Sequence, residues 1–178
     1  MKIKNIALAI LFSAIVFSGC KKVDDALDVT FDATFKTDLN IDIPAWTAAR
    51  DNYIFDETES IDPTTDENVK KYLDKIKGIE VQGITATVTY ISKDVVLTNL
   101  RFSVNGDAGE AVWEIPSLAV SEGTTVTLGN EAGQWDMVNT ILGEKKIFTV
   151  SASGESSQDD VQFTFEYVIN TKITASPL

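Results

Sequence analysis

The chain has 178 residues and a formal net charge of −12, a length that suits one domain with a core large enough to need neither disulfide nor metal. That acidity repels phosphate backbones and argues against a nucleic-acid partner, and without a GxGxxG or GK[ST] loop a nucleotide is not expected either. The sequence contains no histidine and one cysteine, which removes Ser-His-Asp and Cys-His nucleophiles, the HExxH zinc motif and any internal disulfide.

The chain opens on Lys2 and Lys4, continues through an apolar run over residues 6–17 and closes on Phe17-Ser18-Gly19-Cys20. A basic start, a short apolar run and small residues make a secretory signal; a transmembrane helix would need about twenty apolar residues. Small residues leading into the only cysteine resemble the lipobox of bacterial lipoproteins. The resemblance implies a signal peptide over residues 1–19, cleavage before Cys20, diacylation of its thiol and acylation of the new amino terminus. One acyl chain gives only marginal binding, at about 0.8 kcal/mol per buried methylene, whereas two or three make the attachment permanent. The expected location is therefore the outer membrane, reached through the lipid on Cys20. Residues 20–26 form a charged tether in which Asp24 and Asp25 resemble an acidic surface-display signal interrupted by Lys21 and Lys22. Surface and periplasmic faces both stay open. The remaining residues, 27–178, form one domain.

Residues 27–43 alternate in a single phase, with Leu27, Val29, Phe31, Ala33, Phe35, Leu39, Ile41 and Ile43 on one face and polar residues on the other. This predicts one long half-buried strand, or two split near Thr37-Asp38, ended by Pro44. Residues 45–63 read as the longest irregular stretch. Thr64 and Glu67 have capping-box spacing, and Val69, Tyr72, Leu73 and Ile76 form a helical stripe that Gly78 should stop. Beyond it, Ile79 and Val81 alternate on odd positions and Ile84, Ala86, Val88 and Tyr90 on even ones. A bulge at Gln82-Gly83 would keep both halves facing the core. After a turn at residues 92–94, Val96, Leu100, Phe102 and Val104 predict a strand. Residues 105–109 (Asn-Gly-Asp-Ala-Gly) then predict a hairpin turn. The return strand carries Ala111, Trp113 and Ile115 and should stop at Pro116. A short pair is expected next, residues 118–120 and 125–128, joined at Glu122-Gly123. Residues 129–143 hold a second helix with Trp135, Val138, Ile141 and Leu142 on one stripe. Residues 146–152 read as a strand, 153–159 as a polar turn, and Val161 to Ile173 as another long single-phase strand.

Short strands with regular turn signals and long ones at both ends predict an all-β fold. The expected architecture is an antiparallel β-sandwich, immunoglobulin-like or jelly-roll, of seven to nine strands with two short helices. The helix over residues 67–77, the segment around Trp135 and the Val150-Ser151-Ala152-Ser153-Gly154 run are similar to small Bacteroidota-type β-sandwich lipoproteins. That resemblance implies a fold class and no site.

Two sets of residues, open to three readings, compete as a functional site. Trp46, Tyr53 and Phe55 lie in the irregular stretch and form a candidate surface for a protein or glycan partner; the alternative is that they plug the end of the core. Asp56, Glu57, Glu59 and Asp62 form a candidate calcium site, since loops rich in oxygen ligands suit that ion. An EF-hand is excluded, because Ile61 stands where the loop requires glycine. The alternative is a solvated loop whose last acids serve the helix. The same carboxylates could form a glycosidase pair, which a cleft with two facing acids would reveal. The composition favours a non-enzymatic binding or assembly module, with no cofactor expected beyond calcium. A carboxylate-based glycan hydrolase or a calcium-dependent carbohydrate-binding module are the alternatives.

Overall fold

The computed structural model describes residues 27–46 and 53–177. Among the described residues, eight strands form two four-stranded antiparallel sheets. They are β1 (Val29–Ile43), β2 (Tyr53–Ile61), β3 (Ile76–Ile91), β4 (Val95–Gly106), β5 (Gly109–Val120), β6 (Thr125–Thr127), β7 (Phe148–Ser156) and β8 (Val161–Ala175). One sheet runs β1-β8-β3-β6 and the other β2-β7-β4-β5. The hydrogen-bonded pairs therefore include β1 with β8, β2 with β7, β3 with β6 and β4 with β5. That is a long hairpin rolled upon itself, closed at the β4–β5 turn. Of the two layouts the sequence allows, the molecule is a jelly roll.

The first and last strands behave as their alternation requires. Every odd-numbered residue from Val161 to Ala175 is buried, and in β1 Ala33, Phe35, Leu39, Ile41 and Ile43 are buried. The two sheets meet through aromatic edges: Phe55 on Phe163, Phe102 on Phe165 and Phe35 on Phe148, with centroids 5.5, 5.1 and 6.1 Å apart. Such pairs add about 0.5–1.5 kcal/mol each to the area they bury.

Several local expectations change. The irregular stretch contains β2, which pairs with β7 along its whole length and buries Tyr53, Phe55 and Ile61. The first helix is shorter, α1 (Glu67–Tyr72), and a 3-10 turn leads into β3 at Ile76. Its cap is Asp66, which accepts from the backbone N–H of Asn68 and Val69, while Asp62 caps the preceding 3-10 turn. Thr64 thus serves the turn before the helix, and Gly78 lies within β3. Val69 is nevertheless buried, and Leu73 and Ile76 pack on the core as the stripe predicts.

The register of β3 against β8 shifts between Val81 and Gly83, which keeps both phases inward as the sequence implies. A further shift, between Val88 and Tyr90, turns Tyr90 out to solvent and Ile91 toward the core. In β4 the inward phase begins on Val95 and Leu97, leaving Val96 exposed. It recovers through an irregularity between Thr98 and Arg101, where Asn99 takes a positive φ of 50°. Gly154 of β7 lies so close to this kink that an added Cβ would stand 3.2 Å from the Leu100 Cα and from the Thr98 oxygen. Pro116 does not stop β5; the β4–β5 ladder skips Asn99 and Pro116 and resumes, as an edge strand tolerates. Residues 118–120 and 125–127 do not pair together. The first pairs with β4 and the second with β3, so residues 121–124 carry the chain from one sheet to the other.

Helix α2 (Gln134–Gly143) buries Val138, Ile141 and Leu142. It covers the part of the β3 edge that short β6 leaves unpaired: Asn139 Oδ1 accepts from the Val81 N–H at 2.8 Å. Indole N–H groups secure the approach to it, Trp113 donating to the Gly129 carbonyl at 2.7 Å and Trp135 to that of Leu128 at 2.9 Å.

Among the described residues, one buried side-chain polar atom has no partner. The Tyr167 hydroxyl is fully buried without a hydrogen bond, and burial pushes its ionisation far above the ordinary phenol range. An unsatisfied buried group costs about 1–3 kcal/mol. Tyr167→Phe, which removes only that oxygen, should therefore raise stability by about 1 kcal/mol in urea unfolding. Loss of stability would show that the hydroxyl has a partner in solution.

Candidate functional site

The predicted site residues do not assemble as the sequence suggests. Cys20 lies outside the described residues. Tyr53 and Phe55 are core residues of β2, Phe55 standing edge-on to Phe163, so they form no exposed platform with Trp46. The physical reason is period-two burial along β2. Trp46 is 44% exposed, and its backbone N–H donates to Asp159 Oδ2 at 2.8 Å. The candidate calcium ligands are also dispersed. Asp56 projects from the opposite face of β2 to Glu57 and Glu59, and Asp62 accepts from the Thr64 N–H and hydroxyl at 2.9 and 2.7 Å. Among the described residues no three histidine, cysteine or acidic side chains converge on one point.

A groove of about 540 Å³ runs along the β5 edge past residues 127–134 and carries Glu114 and Glu131. Both carboxylates are exposed.

On the outer face of the β2-β7-β4-β5 sheet, polar groups engage one another. Ser103, fully buried, shares a hydrogen bond of 2.6 Å with Ser151 and accepts from Asn105 Nδ2 at 3.0 Å. The same amide reaches Glu110, which also pairs with Arg101. This network cross-links β4, β5 and β7. Partial desolvation opposes the charge on Glu110, but hydrogen bonds from Arg101 and Asn105 prevail and hold its carboxyl below the ordinary range.

The outer face of the other sheet is different. Its middle is self-engaged: Lys36 pairs with Glu166, Thr34 donates to Asn170 at 3.0 Å, and Thr87 bonds Thr125 at 3.0 Å. Toward the end of β1 the pattern opens. Asn40, Thr164 and Tyr90 lie in one cross-strand row of β1, β8 and β3, and Asp42 stands beside Gln162 in the next. They line a shallow recess of about 300 Å³ with Ile41 and Phe163 beneath. Thr164 donates to Asn40 Oδ1 at 2.9 Å, leaving the Asn40 amide N–H groups outward. The backbone below is fixed, since Ser92 N–H donates to the Gln162 carbonyl at 2.8 Å and Ser92 Oγ accepts from Gln162 N–H at 3.0 Å. Tyr90 is half exposed. It reaches this face only because of the bulge between Val88 and Tyr90, which a smooth alternation from Ile84 to Tyr90 conceals.

Comparison with protein-family models, curated proteins and solved structures finds no match for this chain. The architecture alone defines its class, an eight-stranded jelly-roll β-sandwich.

The Glu110 network has a pH signature. A carboxyl with a depressed folded value contributes stability above its unfolded value, about 4.3, and loses it as pH falls through the folded value. Glu110→Gln should therefore lower stability by under about 1 kcal/mol at neutral pH. The gap from wild type should close on acidification below about pH 4. A gap that persists in acid would mean that the carboxylate charge is not what matters.

Proposed function

We propose that this protein is a lipid-anchored, non-enzymatic binding module. It is held to the outer membrane through Cys20 and engages its ligand at the end of the sandwich farthest from that anchor. The observation that carries this reading is the polarity of β1. Leu27 follows Cys20 by seven residues and leads directly into the strand. Fifteen residues of β1 at about 3.4 Å each extend roughly 50 Å to Ile43. Asn40, Asp42, Gln162 and Tyr90 sit at that distal end, and Trp46 follows three residues after Ile43. The tethered end instead carries the Lys77–Asp28 ion pair at 2.7 Å and α1 packed beside β1.

A binding role is favoured over hydrolysis because carboxylates lie dispersed or exposed, whereas the distal face combines an aromatic ring with side-chain donors and acceptors. Calcium is not part of the reading, since no acidic cluster supports it among the described residues.

Two experiments test anchor and surface separately. Cys20→Ser should move the protein from the membrane fraction into soluble or uncleaved material; retention in membranes after loss of the signal would overturn the anchor. For the surface, Thr89→Cys places a thiol beside Tyr90 without removing the ring. It should react freely with maleimide in purified protein and several-fold more slowly on intact cells, relative to Thr58→Cys on the opposite sheet. Equal slowing at both sites would argue against the distal face as the binding surface.

A further inference from the structure

Resting on that reading, we propose that the Tyr90 recess, formed with Asn40, Asp42, Gln162 and Thr164, recognises a neutral sugar ring without a metal ion. The recess spans β1, β8 and β3, and β8 is an interior strand whose backbone is paired on both sides. A peptide added as a strand would pair with the open outer edge of β1, beside the recess rather than over the interior strand at its centre. Recognition over β8 therefore rests on side chains.

Those side chains suit a polyol. Tyr90 is 50% exposed and offers an apolar ring face with a polar tip, which matches the C–H face and hydroxyl rim of a pyranose. Asn40 presents amide N–H donors, Gln162 both donor and acceptor, Asp42 acceptors, and the Thr164 oxygen keeps lone pairs after donating to Asn40. Among the described residues no hydrogen bond engages the side chains of Asp42 or Gln162, or the Tyr90 hydroxyl. Sugar hydroxyls both donate and accept, so this mixed set can pair each of them. Charge selects further. A chain of net charge −12 with Asp42 in the recess repels uronic acids and phosphorylated glycans. A protein hot spot would instead need a packed apolar centre excluding water, whereas the exposed side chains around Tyr90 in this row are polar.

The full chain, purified with its lipid in detergent, is run by affinity electrophoresis through gels containing laminarin, xyloglucan or galactomannan, with polygalacturonate as the anionic counter-probe. Retardation is expected with at least one neutral polymer, unchanged by EDTA and absent with polygalacturonate. Tyr90→Ala should weaken the retarding affinity at least tenfold and Gln162→Ala severalfold, whereas Tyr90→Phe should stay within about threefold and Thr58→Ala should match wild type. Failure of all three neutral polymers, or equal retardation of wild type and Tyr90→Ala, overturns the inference. If that happens while Thr89→Cys remains protected on cells, the sugar is wrong and the distal binding surface stands with a protein occupant. If protection is also lost, both fall.

Discussion

Strand β8 is the constraint on which the rest of the molecule depends. It is hydrogen-bonded to β1 on one side and β3 on the other, and its odd-numbered side chains enter the core without interruption. Phe163 and Phe165 touch each other at 5.5 Å and reach across to Phe55 and Phe102 in the facing sheet. One strand thus fixes the register of its own sheet and the spacing to the other. A slip of one residue would exchange three aromatic rings for Gln162, Thr164 and Glu166. The unpartnered Tyr167 hydroxyl belongs to the same row, where the ring is required for packing and its oxygen is carried along.

The same strand sets up the distal face. Even-numbered residues of β8 point away from the core, and their neighbours on β1 and β3 follow from the pairing. Asn40, Tyr90 and Thr164 come together across more than a hundred residues of chain because β8 sits between the strands that bear the other two. Their positions are held by backbone ladders on rigid elements, which favours recognition without rearrangement.

How much of this could be read beforehand varied with physical cause. Long single-phase strands were legible in β1 and β8 because nothing interrupts their alternation, and the Gly83 bulge because the phase visibly slips there. The stripe of α2 was equally plain. Strand β2 was hidden by Glu57 and Glu59, which occupy inward-phase positions where an edge strand lets carboxylates reach water. Without that strand Tyr53 and Phe55 read as loop aromatics beside Trp46, whereas β2 buries both. Tyr90 was hidden by the opposite effect: its alternation with Ile84, Ala86 and Val88 points it at the core, and a bulge after Val88 turns it out. The crossing at residues 121–124 was illegible because a glycine turn reads alike whether the next strand returns to the same sheet or joins the facing one. The distal recess itself has no local signature, since its parts are contributed by three separate strands.

The pairing of β1 with β8 also has a mechanical consequence. Its fifteen residue pairs run from Val29 with Ala175 to Ile43 with Val161, parallel to the long axis. A pull applied at the Tyr90 end and resisted at Val29 lies along that axis. The ladder is then loaded in shear, with its hydrogen bonds sharing the force together, rather than peeled open one at a time. A roll gripped in this way yields only when many bonds fail at once, so the joint between its two ends is strongest along the line on which a tethered protein would be tugged.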